Sequence, residues 1–460
     1  MERERLMKKF MFLLMASMLF LSACGGFNLG ENDSSGGDGS NEEGDSEETT
    51  ASGSEEAEEG EKIVLDFWTY WGSEQRRPVI DKIIEDFNNS QDGIEVKHTY
   101  VPWGDIWTKN LAAIAAGDPP DVIINDINTV KLRAQEGQIE PITEYLDEET
   151  KNSFYDQMME ASTFEDEIYA LPFNTDTQIL FYNKDQFEEA GLDPGSPPST
   201  WAEAEEYGNQ LDIQENGDFE RIGFYPLIGA GNDVWMVNAL GENYITEDGE
   251  VNINTPPVQD TFEWILGQKE KYGENTITSI NSQFENAQQD PFMSGKISMM
   301  VQNANYYVEL RDFAQDMNFG VAPLPEKEED SGHTSWGGGF VAEVPKGAKD
   351  PEASAEFIKY LTNHASQLYW AENNFDLVAN EEASIAAAES DEFSDKGQEV
   401  YSLMIENMER TQLTPQPVVA PDYASTINPV FESIISEKTD VDEGLEKAQT
   451  ELERIVENNK

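Results

Sequence analysis

Two kinds of residue in this 460-residue chain have side chains that could do chemistry. The first kind is flat aromatics: Trp71, Trp235 and Trp336, with Trp103 and Tyr423 behind them. The second is short amides and carboxylates: Asn125, Asp126, Asn174, Asp176, Asn232, Gln302, Asn303 and Asn305. Aromatic faces accept apolar C–H surface, and amides and carboxylates offer donors and lone pairs that match neighbouring hydroxyls. Together they suit a ring with apolar faces and hydroxyl edges. Each aromatic could equally be an ordinary core residue. Asn125 and Asp126 are less easily explained that way, because they end the apolar run Val122-Ile123-Ile124 and two polar residues closing a buried strand need a reason. Gly337-Gly338-Gly339 follow Trp336, and missing side chains there would let a ligand approach backbone N–H groups.

Catalytic and metal chemistry have weaker support. A glycoside hydrolase needs two carboxylates about 5–10 Å apart, but with 92 acidic residues some pair meets that condition by chance. His98, His333 and His364 have no metal-ligand spacing, and no GxSxG nucleophile motif is present. Neither enzymatic activity, nor a cofactor, nor a metal is expected. Lys plus Arg number 29, giving a formal net charge of −63 that excludes a nucleic-acid or anionic-membrane binder on electrostatics alone. Hydrophobic residues still make up 38%, so an acidic skin over an ordinary core is expected, of the kind that strong salt screening tolerates.

The N-terminus carries the most specific local signal. Lys8 and Lys9 precede the apolar run Phe10 to Leu21, which is too short for a mature membrane helix and ends in Leu21-Ser22-Ala23-Cys24-Gly25. Small residues before a cysteine resemble a bacterial lipobox, which implies a signal peptide over 1–23 and lipid on Cys24. Cys24 is the only cysteine, so the mature chain has no disulfide framework. Residues 24–61 are Gly, Ser, Asp, Glu and Asn with almost nothing apolar, and read as a disordered acidic tether.

From Lys62 the pattern becomes that of a folded domain. Ile63 to Trp68 reads as a buried strand, Pro78 to Asn88 as a helix with Ile80, Ile83, Ile84 and Phe87 on one face, and Ile94 to Tyr100 as the next strand. Trp107 to Ala116 reads as a helix stopped by Gly117-Asp118-Pro119-Pro120, and Asp121 to Asn125 as a third strand. This is the parallel βαβ pattern, whose ligands sit beyond the carboxyl ends of the strands. That places Trp71, Gly72, Ser73 and Glu74 with Asn125 and Asp126 at one crevice. Further on, apolar Tyr169 to Phe173 and Ile179 to Tyr182 flank polar Asn174-Thr175-Asp176-Thr177, and read as two short strands with the polar acceptors of the passage turned outward.

The segments LDFWTYWGSEQ, AAIAAGDPPDVIIND, IYALPFNTDTQILFYNKDQFEEAGLD, GVAPLPE and WGGGFVAEVPKGAKDPEASAEFIKYLT, in this order and spacing, resemble the extracellular solute-binding proteins of family 1. These are carbohydrate-binding lipoproteins of ABC importers, related to maltose-binding protein. The resemblance runs from about Lys62 to the C-terminus. It implies an α/β fold: a two-lobe clamp, each lobe a mainly parallel sheet flanked by helices. Residues 62–172 plus 338–375 would form one lobe and 177–335 plus 378–460 the other, with chain crossings at Asn174–Asp176, His333–Phe340 and Phe375–Asn380. It further implies capture of a sugar or oligosaccharide between the lobes and delivery to ABC permease subunits by a monomer held at the outer face of the membrane through its lipid. Delivery to a membrane receptor is the alternative, and a secreted glycoside hydrolase a weaker one. Where maltose-binding relatives carry a stacking tryptophan after the strand Ile297 to Val301, this chain has Asn305, Tyr306 and Tyr307.

Overall fold

A computed structural model describes residues 62–282, 290–415 and 417–460. The expected signal peptide (1–23), Cys24 and the tether (24–61) lie outside the described residues. Among the described residues no helix is long and apolar enough to cross a membrane.

The first third of the chain folds as its periodicity dictates. Strand β1 (Ile63–Thr69) is followed by the helix Arg76–Ser90, whose buried Val79, Ile80, Ile83, Ile84 and Phe87 recur every three to four residues and form the face laid on the sheet. After β2 (Ile94–Tyr100), the helix Ile106–Ala116 ends at Gly117. That glycine takes φ 76° and donates its N–H back to Ala113 and Ile114, a left-handed cap that costs a side chain strain and costs glycine none. Strand β3 (Val122–Asp126) then pairs parallel with β1, as β2 does on the other side.

Ten of the remaining strands complete two larger sheets and one small pair. They are β6 (Ala170–Thr175), β7 (Gln178–Asn183), β8 (Ile213–Glu215), β9 (Asp218–Phe224), β10 (Ile297–Asn303), β11 (Phe319–Ala322), β12 (Ser335–Gly337), β13 (Gly339–Glu343), β14 (Leu377–Val378) and β15 (Thr411–Leu413), with β4 (Thr163–Phe164) and β5 (Glu167–Ile168) forming a short hairpin before them. One sheet has the order β14-β6-β13-β3-β1-β2, the other β11-β7-β10-β9-β8, and β12 pairs with β15. The chain therefore changes sheet within two residues, Asp176 and Thr177, between β6 and β7. It returns at Gly338, between β12 and β13.

Both larger sheets are mixed, which corrects the expectation of mainly parallel ones. Strands β13, β6 and β14 join the first sheet antiparallel, and β7 is antiparallel to both β10 and β11 in the second. For β7 and β13 the reason is topological: each is entered across the junction, from β6 and from β12, and not through a helical crossover on the same sheet, while β6 and β14 then pair antiparallel with β13 and β6. A second difference concerns the stretch after Val378, expected to join the second lobe at once. Glu381 N–H donates to Ser153 O, and Tyr155 donates its hydroxyl to Ser384, so this stretch first packs on the side of the first sheet. It pairs with strand β12 only at Thr411.

The junction is polar and densely hydrogen-bonded, although the side-chain oxygens of Asn174, Gln178 and Asn407 have no partner. Asn174, expected to face outward, is buried and bonds Asp376, and Thr175 and Thr177 beside it are buried as well. Thr177 Oγ1 lies 2.6 Å from Thr411 Oγ1, 3.1 Å from Ser335 Oγ and 2.7 Å from Asn407 Nδ2. Hydroxyls from three chain passages thus bond one another at one point, which avoids the cost of burying each alone.

Candidate functional site

Polar side chains converge on this junction from both sheets. From the first come Asp126, at the end of β3, and Asn174, in β6; Asp376 immediately precedes β14. From the second come Asn303, at the end of β10, and Asn305 after it. Asp176 lies in the crossing itself. Asp376 is 1% exposed and gathers four donors: Arg76 Nη2 at 2.8 Å, Trp370 Nε1 at 3.0 Å, Asn305 Nδ2 at 3.3 Å and Asn174 Nδ2 at 3.4 Å. One carboxylate therefore holds side chains from both sheets.

The other two carboxylates are poorly compensated. Burial pushes the Asp176 carboxyl above its ordinary value, the Gly338 N–H and the Asn303 side chain pull it back, and the nearby charges of Asp126 and Asp376 add to the rise. Asp126 is likewise pushed up by burial, with the Asn128 N–H (2.8 Å) and Arg133 opposing. Burial also raises the Tyr70 hydroxyl, whose neighbours include Arg76, Asp376 and Asp126. The two guanidiniums within reach are already engaged: Arg76 with Asp376, and Arg133 with Glu343. The charge left over at the junction is that of Asp126 and Asp176.

An aromatic wall adjoins these groups. Trp103, 51% exposed, stands edge-on to Tyr70 (centroids 4.5 Å apart, 89°) and packs against Phe340 at 5.5 Å. On the second-sheet side, Gly229, Gln302, Asn303, Asn305, Tyr306 and Glu309 line a cavity of about 570 Å³. Trp336 is half-buried and packs on the second-sheet side, its indole N–H without a partner.

Several expected site residues turn out to be structural. Trp71, 1% exposed, packs 4.4 Å from Trp370 and 4.7 Å from Phe173, and Trp235, 0% exposed, donates its N–H to Pro226 O. Tyr423, 2% exposed, packs 6.0 Å from Tyr244, whose hydroxyl donates to Asp233. These rings have no free face, because core packing claims both sides. Tyr306 and Tyr307 are also largely buried, Tyr306 at the wall of the cavity on the second-sheet side. Asn125 has a structural reason as well: its Nδ2 donates to Glu343 Oε1 at 2.8 Å, satisfying a buried carboxylate that also takes Arg133. Asn232 opens the helix Asn232–Leu240 and turns its amide to Met236 Sδ.

The glycines serve the junction. A Cβ on Gly337 would lie 2.1 Å from Asp176 O and one on Gly339 2.4 Å from Asn174 O, so the space they leave is filled by the first crossing's backbone, and the Gly338 N–H is taken by Asp176 Oδ1. Gly72, Ser73 and Glu74 form an exposed turn in which Ser73 Oγ accepts the Arg76 N–H, so this turn's contribution is to aim Arg76. Arg76, Tyr70, Phe340 and Asp376 carried no sequence signal. Asp376 falls inside the third expected crossing but is one acid among many. Among the described residues no group of three or more His, Cys, Asp or Glu is arranged to hold a metal.

Residues 71–368 match the model of the bacterial extracellular solute-binding protein family. A Brucella abortus protein named only as a binding protein is 26% identical over 253 residues, covering 54% of this chain and 60% of that one. The chain thus spans less than two thirds of that relative. The sn-glycerol-3-phosphate-binding periplasmic protein of Brucella melitensis is 23% identical over 413 residues, covering 83% of this chain and 90% of the relative. The solved structure of CpMnBP1 with mannobiose bound superposes with a TM-score of 0.70 at 25% identity, covering 85% of this chain and all of that one. With a family model matched over most of its length and a two-lobe α/β fold shared with such a neighbour, the chain belongs to the bacterial extracellular solute-binding protein family.

Proposed function

We propose that the protein is the substrate-binding component of an ABC importer and captures a neutral sugar or oligosaccharide between its two lobes. The carrying observation is the charge balance at the junction. Both guanidiniums are committed to carboxylates, and Asp126 and Asp176 remain, so a phosphate ester arriving there meets uncompensated negative charge. A neutral polyol instead supplies hydroxyl donors to those acceptors and C–H faces to Trp103 and Tyr70. This favours the class of ligand bound by CpMnBP1 over that of the glycerol-phosphate relatives.

The lobes move about the passages at 174–178, 335–339 and 375–411. A ligand biases closure only through contacts it makes in the closed arrangement, so residues of both lobes touch it. The closed form is handed to the permease subunits, with no bond made or broken in the solute. The mature monomer is held outside the cell by lipid on Cys24, and Cys24→Ser would leave the leader uncleaved, seen as a heavier chain in whole cells.

Thermal shift and calorimetry against glucose- and mannose-based sugars of one to four rings, with sn-glycerol 3-phosphate alongside, test the reading. Neutral sugars should raise Tm, because only the folded state binds them, and the phosphate ester should not. Tighter binding of the phosphate ester than of any sugar would overturn it.

A further inference from the structure

Beside Asp126, on the side of the first sheet covered by the helix Ile106–Ala116, lies a cavity of about 290 Å³. Trp107, Asn110 and Leu111 line it from the helix, with Asp126 and Arg133 opposite. Two buried polar atoms in its wall have no hydrogen-bond partner: Trp107 Nε1, a donor, and Asn110 Oδ1, an acceptor on a residue only 2% exposed. Leaving such groups unpaired is costly, and most native structures avoid it. The positive charge in the same wall is spent, since Arg133 is bonded to Glu343, Thr129 and the Asp126 carbonyl. What remains on offer beside the Asp126 carboxylate is one donor, one acceptor and apolar surface, the complement of a neutral hydroxylated group and not of an anion.

The cavity adjoins the junction. Asp126 belongs to both, and the exposed Trp103 packs 4.7 Å from Trp107 on one side and 4.5 Å from Tyr70 on the other. Trp107 and Leu111, four residues apart in the helix, share one of its faces, and Trp103 in the turn before it packs on Trp107. We infer that this cavity is a distal subsite that seats a further ring of the oligosaccharide whose first rings lie at Asp126 and Asp176. A hydroxyl of that ring donates to Asn110 Oδ1 and another accepts from Trp107 N–H. The inference rests on the sugar reading above and narrows it: the physiological solute has three rings or more.

Calorimetry on the full mature domain, with the same one- to four-ring sugars, separates the two readings. An aromatic contact and two satisfied polar atoms should make three rings bind about tenfold more tightly than two. Trp107→Ala and Asn110→Ala should erase that gain while leaving one- and two-ring affinity within about twofold. Trp107→Phe keeps the ring and removes the N–H, and should lose part of the gain with an unchanged unliganded Tm. This covers the case in which the alanine variants fold poorly. Equal affinity for two and three rings in the unmodified protein, or a gain that survives Trp107→Phe undiminished and either alanine change, overturns the distal subsite and leaves the sugar reading intact. Absence of binding by every sugar removes both.

Discussion

Asp176 accepts the Gly338 N–H on Oδ1 at 2.9 Å, and the Gly338 carbonyl accepts in return from the Asp176 N–H at 3.3 Å and from Thr175 Oγ1 at 2.8 Å. Two chain passages between the sheets are thus bonded back to back at a residue that also faces the site. This contact requires bare backbone on one side. Gly337→Ala and Gly339→Ala would each drive a Cβ into a carbonyl of the first crossing, at 2.1 and 2.4 Å, whereas at Gly338 the nearest atom is the Asn128 amide at 3.2 Å. Overpacking against backbone costs about 1–3 kcal/mol. Urea denaturation should show the two flanking variants clearly destabilised and Gly338→Ala the mildest of the three.

The Asp176 carboxyl is held above its ordinary value of 3.8, chiefly by burial. A carboxyl that binds its proton more tightly when folded contributes stability below the unfolded value, and that contribution is lost as pH rises through the folded one. At neutral pH the ionised Asp176 therefore costs the unliganded protein stability. Asp176→Asn keeps an oxygen for the Gly338 N–H and removes the charge. Its unliganded Tm should exceed that of the parent at pH 7, on the order of 1–3 °C, with the difference shrinking as pH falls towards 4. Sugar affinity should fall in the same variant, because a charged acceptor becomes a neutral amide.

Asp376 makes the opposite case. It is as buried as any core residue but carries four donors, so its charge is answered from both sheets. Asp376→Ala strands the Trp370 N–H and two amides, and leaves Arg76, itself one-third exposed, without its partner. Stranded buried donors cost about 1–3 kcal/mol each when nothing replaces the acceptor, and water reaching Arg76 reduces its share. Chemical denaturation should give a total loss of about 2–4 kcal/mol.

These three residues also mark where the sequence could be read and where it could not. The βαβ start and the strands flanking Asn174–Asp176 were legible, because apolar periodicity is a local signal, whereas the return near Gly338 followed from the family resemblance and the glycine run pointed to a ligand where the first crossing's backbone sits. The site was legible in part. Asp126, Asn303 and Asn305 end or follow apolar strands, and position alone brings them to the junction. The aromatics misled, since a tryptophan beside a turn has the same sequence signature whether its ring is buried like Trp71 or exposed like Trp103. Arg76 and Asp376 pair across 300 residues, a relation that no local pattern encodes.

A last expectation concerns salt. Lys131, on the helix that follows β3, reaches Glu247 on the second-sheet side at 3.2 Å, over a groove of about 300 Å³ lined by residues of both sides. An ion pair that spans the lobes favours the arrangement that brings its partners together, by its own free energy and no more. Glu247 is 53% exposed at its side chain, so that free energy is on the order of 0.5 kcal/mol, about twofold in affinity. Lys131→Ala should weaken sugar binding by that factor at low ionic strength. At about 1 M salt the Debye length falls near 3 Å and the variant and parent should converge. The chain's formal charge of −63 makes the contrast sharper, because the repulsion between two acidic lobes is screened over the same range. Calorimetry at two salt concentrations decides it. An effect of Lys131→Ala that persists undiminished at high salt would mean that the side chain acts through packing in the groove, and not through its charge.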